Sequence, residues 1–291
     1  MQHRTGALLV LASAAAFGVM PIFGKLAFEA GVGVATLLVI RFAIATPILW
    51  GAVVARRALP RAGRGVLVRA LALGAVGYAT QAGLYFMALQ RMDASVLSLI
   101  LYSYPALVTG AVILLGREPA NRRRLIALVI ASGGLVLVLV GAGAGDFDLA
   151  GAALAAGAAL TYSTYIIVSA GVTTDLEALP LAALVATGAV ISLGLVTLAT
   201  GSLHLDFEPA GWLWLALAAL VSTVGAVVLF FSGMSRVGPS TAAILSTLEP
   251  PVTVSLVYLT FGDALGALQL LGALAVLGAA VLVNLPQRRL A

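Results

Sequence analysis

Apolar runs of membrane-spanning length fill this chain and leave it few folds to choose from. A helix that crosses a bilayer needs about 20 mainly apolar residues. Breaking the 291-residue sequence at its charges and its glycine and proline clusters gives ten such runs: 5–28, 33–55, 66–89, 94–116, 123–142, 149–171, 179–200, 210–234, 239–261 and 265–285. Hydrophobic residues make up 62% of the chain and charged residues only 9%, which no water-soluble core accommodates. Residues 1–28 carry a basic start, Arg4, and small residues from Ser13 to Ala16 in the manner of a cleaved secretory signal. They have a counterpart later in the chain, however, and are read as a span.

The basic residues sit in clusters between runs. With a cytoplasmic N-terminus, one side receives Arg4, Arg56, Arg57, Arg61, Arg64, Arg69, Arg117, Arg122, Arg123, Arg124, Arg236, Arg288 and Arg289, which is 13 of the 16 lysines and arginines. The positive-inside rule then predicts that both termini are cytoplasmic. The net charge of +5 is therefore assigned to membrane topology and not to nucleic acid.

Sliding the chain by 145 residues sets Arg91 on Arg236, Ser95 on Ser240, Pro105 on Pro250, Leu125 on Leu270 and Gly133 on Gly278. One unbroken offset of this kind argues for an internal duplication. Residues 1–145 and 146–291 are expected to be five-helix repeats forming one integral unit. Five is odd, so the second repeat enters the membrane from the opposite side. The fold class predicted is an all-α membrane protein of ten transmembrane helices, arranged as two inverted five-helix repeats around a central cavity. Such repeats meet around a site near mid-membrane in many secondary transporters.

The stretches "FGVMPIFGK" (17–25), "IRF" (40–42), "ASVLSLILYSYPALVTGAVILLGRE" (94–118) and "STAAILSTLEPPVTVSLVYLTFGD" (240–263) together resemble the drug/metabolite transporter superfamily, specifically its ten-helix EamA-type exporters. Within that group the likeness is to the YddG-type amino-acid exporters. The resemblance implies export of amino acids and related metabolites across the bacterial inner membrane. The chain departs from the family pattern at Phe17, where tryptophan is frequent, and at Gly116-Arg117-Glu118 and Gly262-Asp263.

Two charges lie deep within runs, Arg41 and Glu249. An isolated charge there costs about 2.5–3.5 kcal/mol on insertion scales, so each is expected to face a partner or a wet cavity. They pair with each other, or touch substrate, or both. Glu249 is followed by Pro250 and Pro251, neither of which has an amide hydrogen, so carbonyls near Ser246 and Thr247 are freed and the helix is predicted to kink. Pro105 makes the matching bend, with Tyr104 in the place of Glu249. Polar stripes at helical spacing add Tyr78, Gln81 and Tyr85, then Ser95, Ser98 and Tyr102, then Thr161, Tyr162 and Tyr165. Tyr258 and Tyr85 are assigned to the headgroup belt, and Trp212 and Trp214 to interfacial anchoring. The substrate-binding set is Glu249, Arg41, Tyr78, Gln81, Tyr102, Tyr104, Tyr162 and Ser246.

Cysteine is absent, and His3 and His204 lie outside the spans' interiors, so no metal cluster or cofactor is expected. No nucleotide-binding motif is present, which points away from ATP as the direct energy source. A membrane-embedded enzyme needs a catalytic constellation that these spans lack. The expectation is a secondary transporter working by alternating access, uniport or proton antiport, with a passive channel as the alternative. Its partners are a small-molecule substrate and membrane lipid but no nucleic acid, and it is a monomer or weak homodimer.

Overall fold

Prolines and glycines decide where the apolar runs break. In the computed structural model the described residues are 2–115, 122–141, 148–169, 172, 176–237, 245–246, 248–262 and 264–284. Every regular element among them is helical. The first run divides into α1 (Gln2–Gly18) and α2 (Met20–Glu29), with Pro21 in the first turn of α2. The second is α3 (Val34–Ala55), which continues through Pro47. The third comprises α4 (Arg64–Ala72), a π-helical stretch (Leu73–Tyr78) and α5 (Ala79–Leu89). The fourth is interrupted at Tyr102 and Ser103, between α6 (Ala94–Leu101) and α7 (Tyr104–Leu114).

Then come α8 (Arg122–Gly141), α9 (Leu149–Ser169) and α10 (Ala178–Thr200). The eighth run repeats the plan of the third, with α11 (Pro209–Ala219), a second π-helical stretch (Leu220–Gly225) and α12 (Ala226–Val237). The chain ends in α13 (Glu249–Phe261) and α14 (Ala267–Asn284). Six helices among the described residues are long and apolar enough to cross a membrane: Arg4–Glu29, Val34–Ala55, Arg64–Leu89, Leu149–Val168, Ala178–Thr200 and Pro209–Phe230. The other four predicted runs are helical where described. Of these, 94–116 is broken by its turn, and 239–261 is described mainly from Glu249 onward. Residues 116–121 with Arg117, 239–244, Thr247, Asp175, and Arg288 with Arg289 lie outside the described residues.

Packing partners are reciprocal under the 145-residue shift. Helix α1 lies on α12, and its counterpart α9 lies on α5; α3 packs on α10 and α8 on α14, each with its own counterpart. Small residues allow the close approaches that membrane helices need. The tightest joins the first π stretch to α10, where a Cβ on Gly74 would lie 2.0 Å from the Val185 carbonyl oxygen, and one on Gly188 2.1 Å from that of Leu71. Trp50 donates its ring N–H to Thr187 Oγ1 at 2.9 Å across the same α3–α10 contact. Large apolar residues such as Leu114, Val129, Leu195, Leu259 and Leu274 point outward, the surface a bilayer covers.

Because the obstruction at Gly188 is backbone, no side-chain shift relieves it. Gly188→Val is expected to destabilise the fold by at least the ~1–3 kcal/mol typical of overpacking. Thermal melting in detergent checks this, with Gly194→Val, whose Cβ meets nothing within 4 Å, leaving the melting temperature unchanged.

Candidate functional site

A carbonyl that loses its donor to proline must find another in a medium without water. The Ser246 carbonyl would ordinarily accept from residue 250, which is proline. It is met instead by the Tyr102 hydroxyl at 2.9 Å, and the same hydroxyl lies 2.8 Å from Glu249 Oε2. Where a kink within a helix was predicted, the two prolines stand in the first turn of α13, with Leu248 as its N-cap residue. One further join positions this end of α13. The amide of Ile22 turns to Val19 O, and Thr253 donates to the Gly18 carbonyl at 2.9 Å. Thr253 thus serves the α1–α13 contact.

Arg41 is 1% exposed and reaches both halves of the chain. Its Nε donates to Thr223 Oγ1 at 2.7 Å, and Nη2 donates to the Tyr78 hydroxyl at 3.1 Å. Tyr78 ends the first π stretch and Thr223 lies in the second, and the two positions are 145 residues apart. The guanidinium also stands 4.8 Å from the Phe42 ring centre and 5.6 Å from that of Phe86, contacts that favour a cation over an aromatic face. Its Nη1 is buried with no hydrogen-bond partner among the described residues.

Between Arg41 and Glu249 runs a row of tyrosines. From Tyr78 the ring centres step 6.0 Å to Tyr165, 6.2 Å to Tyr162, 4.7 Å to Tyr104 and 5.6 Å to Tyr102. The row draws on the first π stretch, α9, α7 and the turn after α6, so four separate elements converge on it.

Of the residues predicted for the site, Arg41, Tyr78, Tyr102, Tyr104, Tyr162, Glu249 and the Ser246 backbone are joined in this one array. Gln81 is partly buried one turn beyond Tyr78 and makes no hydrogen bond to any of them. The ion pair weighed between Arg41 and Glu249 does not form. The guanidinium is taken by Thr223 and Tyr78 and the carboxyl by Tyr102, because a whole tyrosine row separates them. Tyr85 is also corrected: at 3% exposure it is a core residue, whereas Tyr258 and Trp212, 56% and 48% exposed, point outward. Trp214 is partly buried and stacks on Phe23 at 6.3 Å. Thr223 was missed, although the 145-residue offset from Tyr78 marks its position. Tyr165 was read only as part of a stripe.

The ends of several helices are tied by charges. Lys25 Nζ lies 3.7 Å from Asp93 Oδ1 and 5.6 Å above the Phe261 ring, and Arg91 donates to Asp148 at 3.3 Å. The Gly151 amide, then Arg91 and the Ala150 amide, hold the Asp148 carboxyl below its usual range. An open groove of about 650 Å³ lies here, lined by Lys25, Glu29, Arg91 and Asp93 among others. It is separate from the tyrosine row. No group of three or more histidine, cysteine, aspartate or glutamate side chains suited to a metal occurs among the described residues.

Known proteins share this architecture. A solved crystal structure, whose description names only a protein, matches over 96% of each chain with a TM-score of 0.66 and 19% identity, a likeness of fold. An uncharacterized transporter of Bacillus subtilis (strain 168), YcbK, is 27% identical over 280 residues, covering 93% of this chain and 90% of its own length. The sequence model of the EamA-like transporter family matches twice, at residues 4–140 and 149–285, so that the two matches are themselves offset by 145. The chain belongs to the EamA-like transporter family, a family of multi-pass membrane transporters.

Proposed function

We propose that the protein is a secondary transporter that exports amino acids and related small metabolites across the bacterial inner membrane by alternating access. Its working parts are two oppositely threaded five-helix units, 1–145 and 146–291, with both termini cytoplasmic and Arg41, Tyr78, Gln81, Tyr102, Tyr104, Tyr162, Ser246 and Glu249 lining the substrate path.

One observation carries this reading. A buried arginine is held by Tyr78 and Thr223, equivalent positions in the π-helical stretches of the two halves. π-Helical turns are frequent at functional sites, and a side chain bonded to both senses any movement of one half against the other. The reciprocal packing of α1 on α12 and α9 on α5 fits two units related by a twofold axis. An odd number of spans per unit turns that axis into the membrane plane.

The chemistry of the array suits small amphiphiles. The unpartnered Nη1 of Arg41 is a donor for a carboxylate, since a buried guanidinium left short of acceptors is costly. The tyrosine row offers flat apolar faces that accept varied side chains while its hydroxyls keep polar contacts.

In liposomes the protein is expected to carry labelled amino acids with saturable kinetics and competition between substrates. Flux that never saturates identifies a passive channel. Arg41→Gln removes charge-assisted hydrogen bonds worth about 1.5–3 kcal/mol each, which corresponds to a loss of roughly 10- to 100-fold in transport efficiency. Since Arg41 and Glu249 are held by different partners, the losses in thermal stability of Arg41→Ala and Glu249→Ala should add to within about 0.5 kcal/mol in the double variant. A double variant clearly milder than that sum would restore the direct ion pair.

A further inference from the structure

We propose that Glu249 is a proton site, neutral in the conformation seen, and that transport is coupled to the proton it takes up and releases. The proposal rests on the transporter reading above and deepens it by naming the coupling ion.

Tyr102 has one hydroxyl hydrogen, and two acceptors lie within reach of it: Ser246 O at 2.9 Å and Glu249 Oε2 at 2.8 Å. If Glu249 is ionised, the phenol serves one oxygen and leaves the other without a donor among the described residues. If Glu249 is a neutral acid, its own O–H donates to Tyr102 Oη, and Tyr102 donates onward to Ser246. Only the neutral acid satisfies all three groups, and buried polar groups are almost always satisfied. The Ser246 carbonyl needs that donor because Pro250 has no N–H to give it.

A glutamate at the start of a helix is ordinarily held charged, because the free amides of a helix N-terminus attract anions. Here those amides are missing. Residues 250 and 251 are both proline, and the Val252 amide is already bonded to Leu248 O at 3.1 Å. The pair of prolines thus removes the groups that ordinarily keep a first-turn glutamate charged.

Among the described residues, neighbouring elements supply no countercharge. Helix α13 packs against α1, α2 and α6. Helix α1 meets it with the Gly18 end, where a built Cβ falls 3.1 Å from Glu249 O. The charged groups of α2, Lys25 and Glu29, lie toward the opposite end of α13, where Lys25 stands over Phe261. Twelve residues separate Phe261 from Glu249, about 18 Å at the helical rise. From α6 comes Tyr102, with Asp93 at the far end of that helix. The other titratable groups around Glu249 are neutral phenols: Tyr85 on α5, Tyr104 on α7 and Tyr162 on α9. Arg41 on α3 is engaged at the other end of the tyrosine row.

The cycle balances simply. On release, the Glu249 O–H bond breaks, its electron pair stays on the carboxylate, and the proton passes to water at the open face. The Tyr102 hydroxyl then turns to the carboxylate, and Ser246 O loses its donor. Either a new proton or a movement of α13 relieves that loss, so the charge on Glu249 is tied to where α13 sits.

Two measurements test the proposal. In purified wild-type protein, difference infrared spectra should show a carboxylic-acid C=O band at neutral pH that disappears in alkali and is absent from Glu249→Gln. In liposomes, an imposed pH gradient should drive accumulation of substrate by wild type. Glu249→Gln keeps a donor to Tyr102 and therefore the fold, and whatever flux it retains should no longer respond to the pH gradient. A carboxyl ionised throughout, a Gln variant that still accumulates substrate, or a wild type indifferent to the gradient each overturns the coupling. If wild type carries no amino acid at all, the transporter reading fails, and the infrared band alone decides whether Glu249 holds a proton.

Discussion

Inside a bilayer no water completes a broken helix, and that constraint shapes the centre of this protein. Each interruption leaves carbonyls that must be answered by side chains from elsewhere in the chain. The Ser246 carbonyl, orphaned by Pro250, is answered by Tyr102; the Gly18 carbonyl, left when the Ile22 amide turns to Val19, is answered by Thr253. These bonds link residues 144 and 235 positions apart, so the breaks do more than bend their helices. They bind α13 to α1 and to the turn between α6 and α7, and so bring Glu249 to the tyrosine row.

Much of this was legible because a membrane makes polar residues conspicuous. The all-helical fold, the 145-residue offset and the two buried charges follow from apolar run length and from which residues interrupt it. Seven of the eight residues named for the site come together for the same reason, since a polar group in a span needs company. What escaped was pairing. Arg41 and Glu249 were candidates for each other because they were the two charges present, yet neutral hydroxyls from Thr223, Tyr78 and Tyr102 satisfy them separately. Hydroxyls are too common in these spans for sequence to single one out. The π-helical stretches were also silent: the first meets α10 at Gly74 and Gly188, a close approach between distant elements that local propensity does not announce. Tyr85 failed for a related reason: a tyrosine near the end of a run looks the same whether it faces headgroups or the core.

The duplication explains why the array lies where it does. Arg41 touches both members of one equivalent pair at once, Tyr78 and Thr223. Its own counterpart, Ala186, is a small buried residue of α10. The fold therefore keeps the backbone of the repeat in both halves while placing different side chains at equivalent positions.

On the proposed alternating-access cycle, that asymmetry bears on the direction of transport. In a chain with identical inverted halves, exchanging their conformations turns one access state into the other, and the two states have equal energy. Here Tyr104 answers Glu249, Ala186 answers Arg41, and Phe17 and Met20 stand where Tyr162 and Tyr165 have their equivalents. Each substitution gives one half a polar or charged group that the other lacks. The two states must then differ in how well they satisfy Arg41 and Glu249, and an equilibrium moves only by such differences. A ligand or proton that alters either charge acts on that difference directly, which makes the departures from the repeat, more than the repeat itself, the place where substrate and driving ion can bias the cycle.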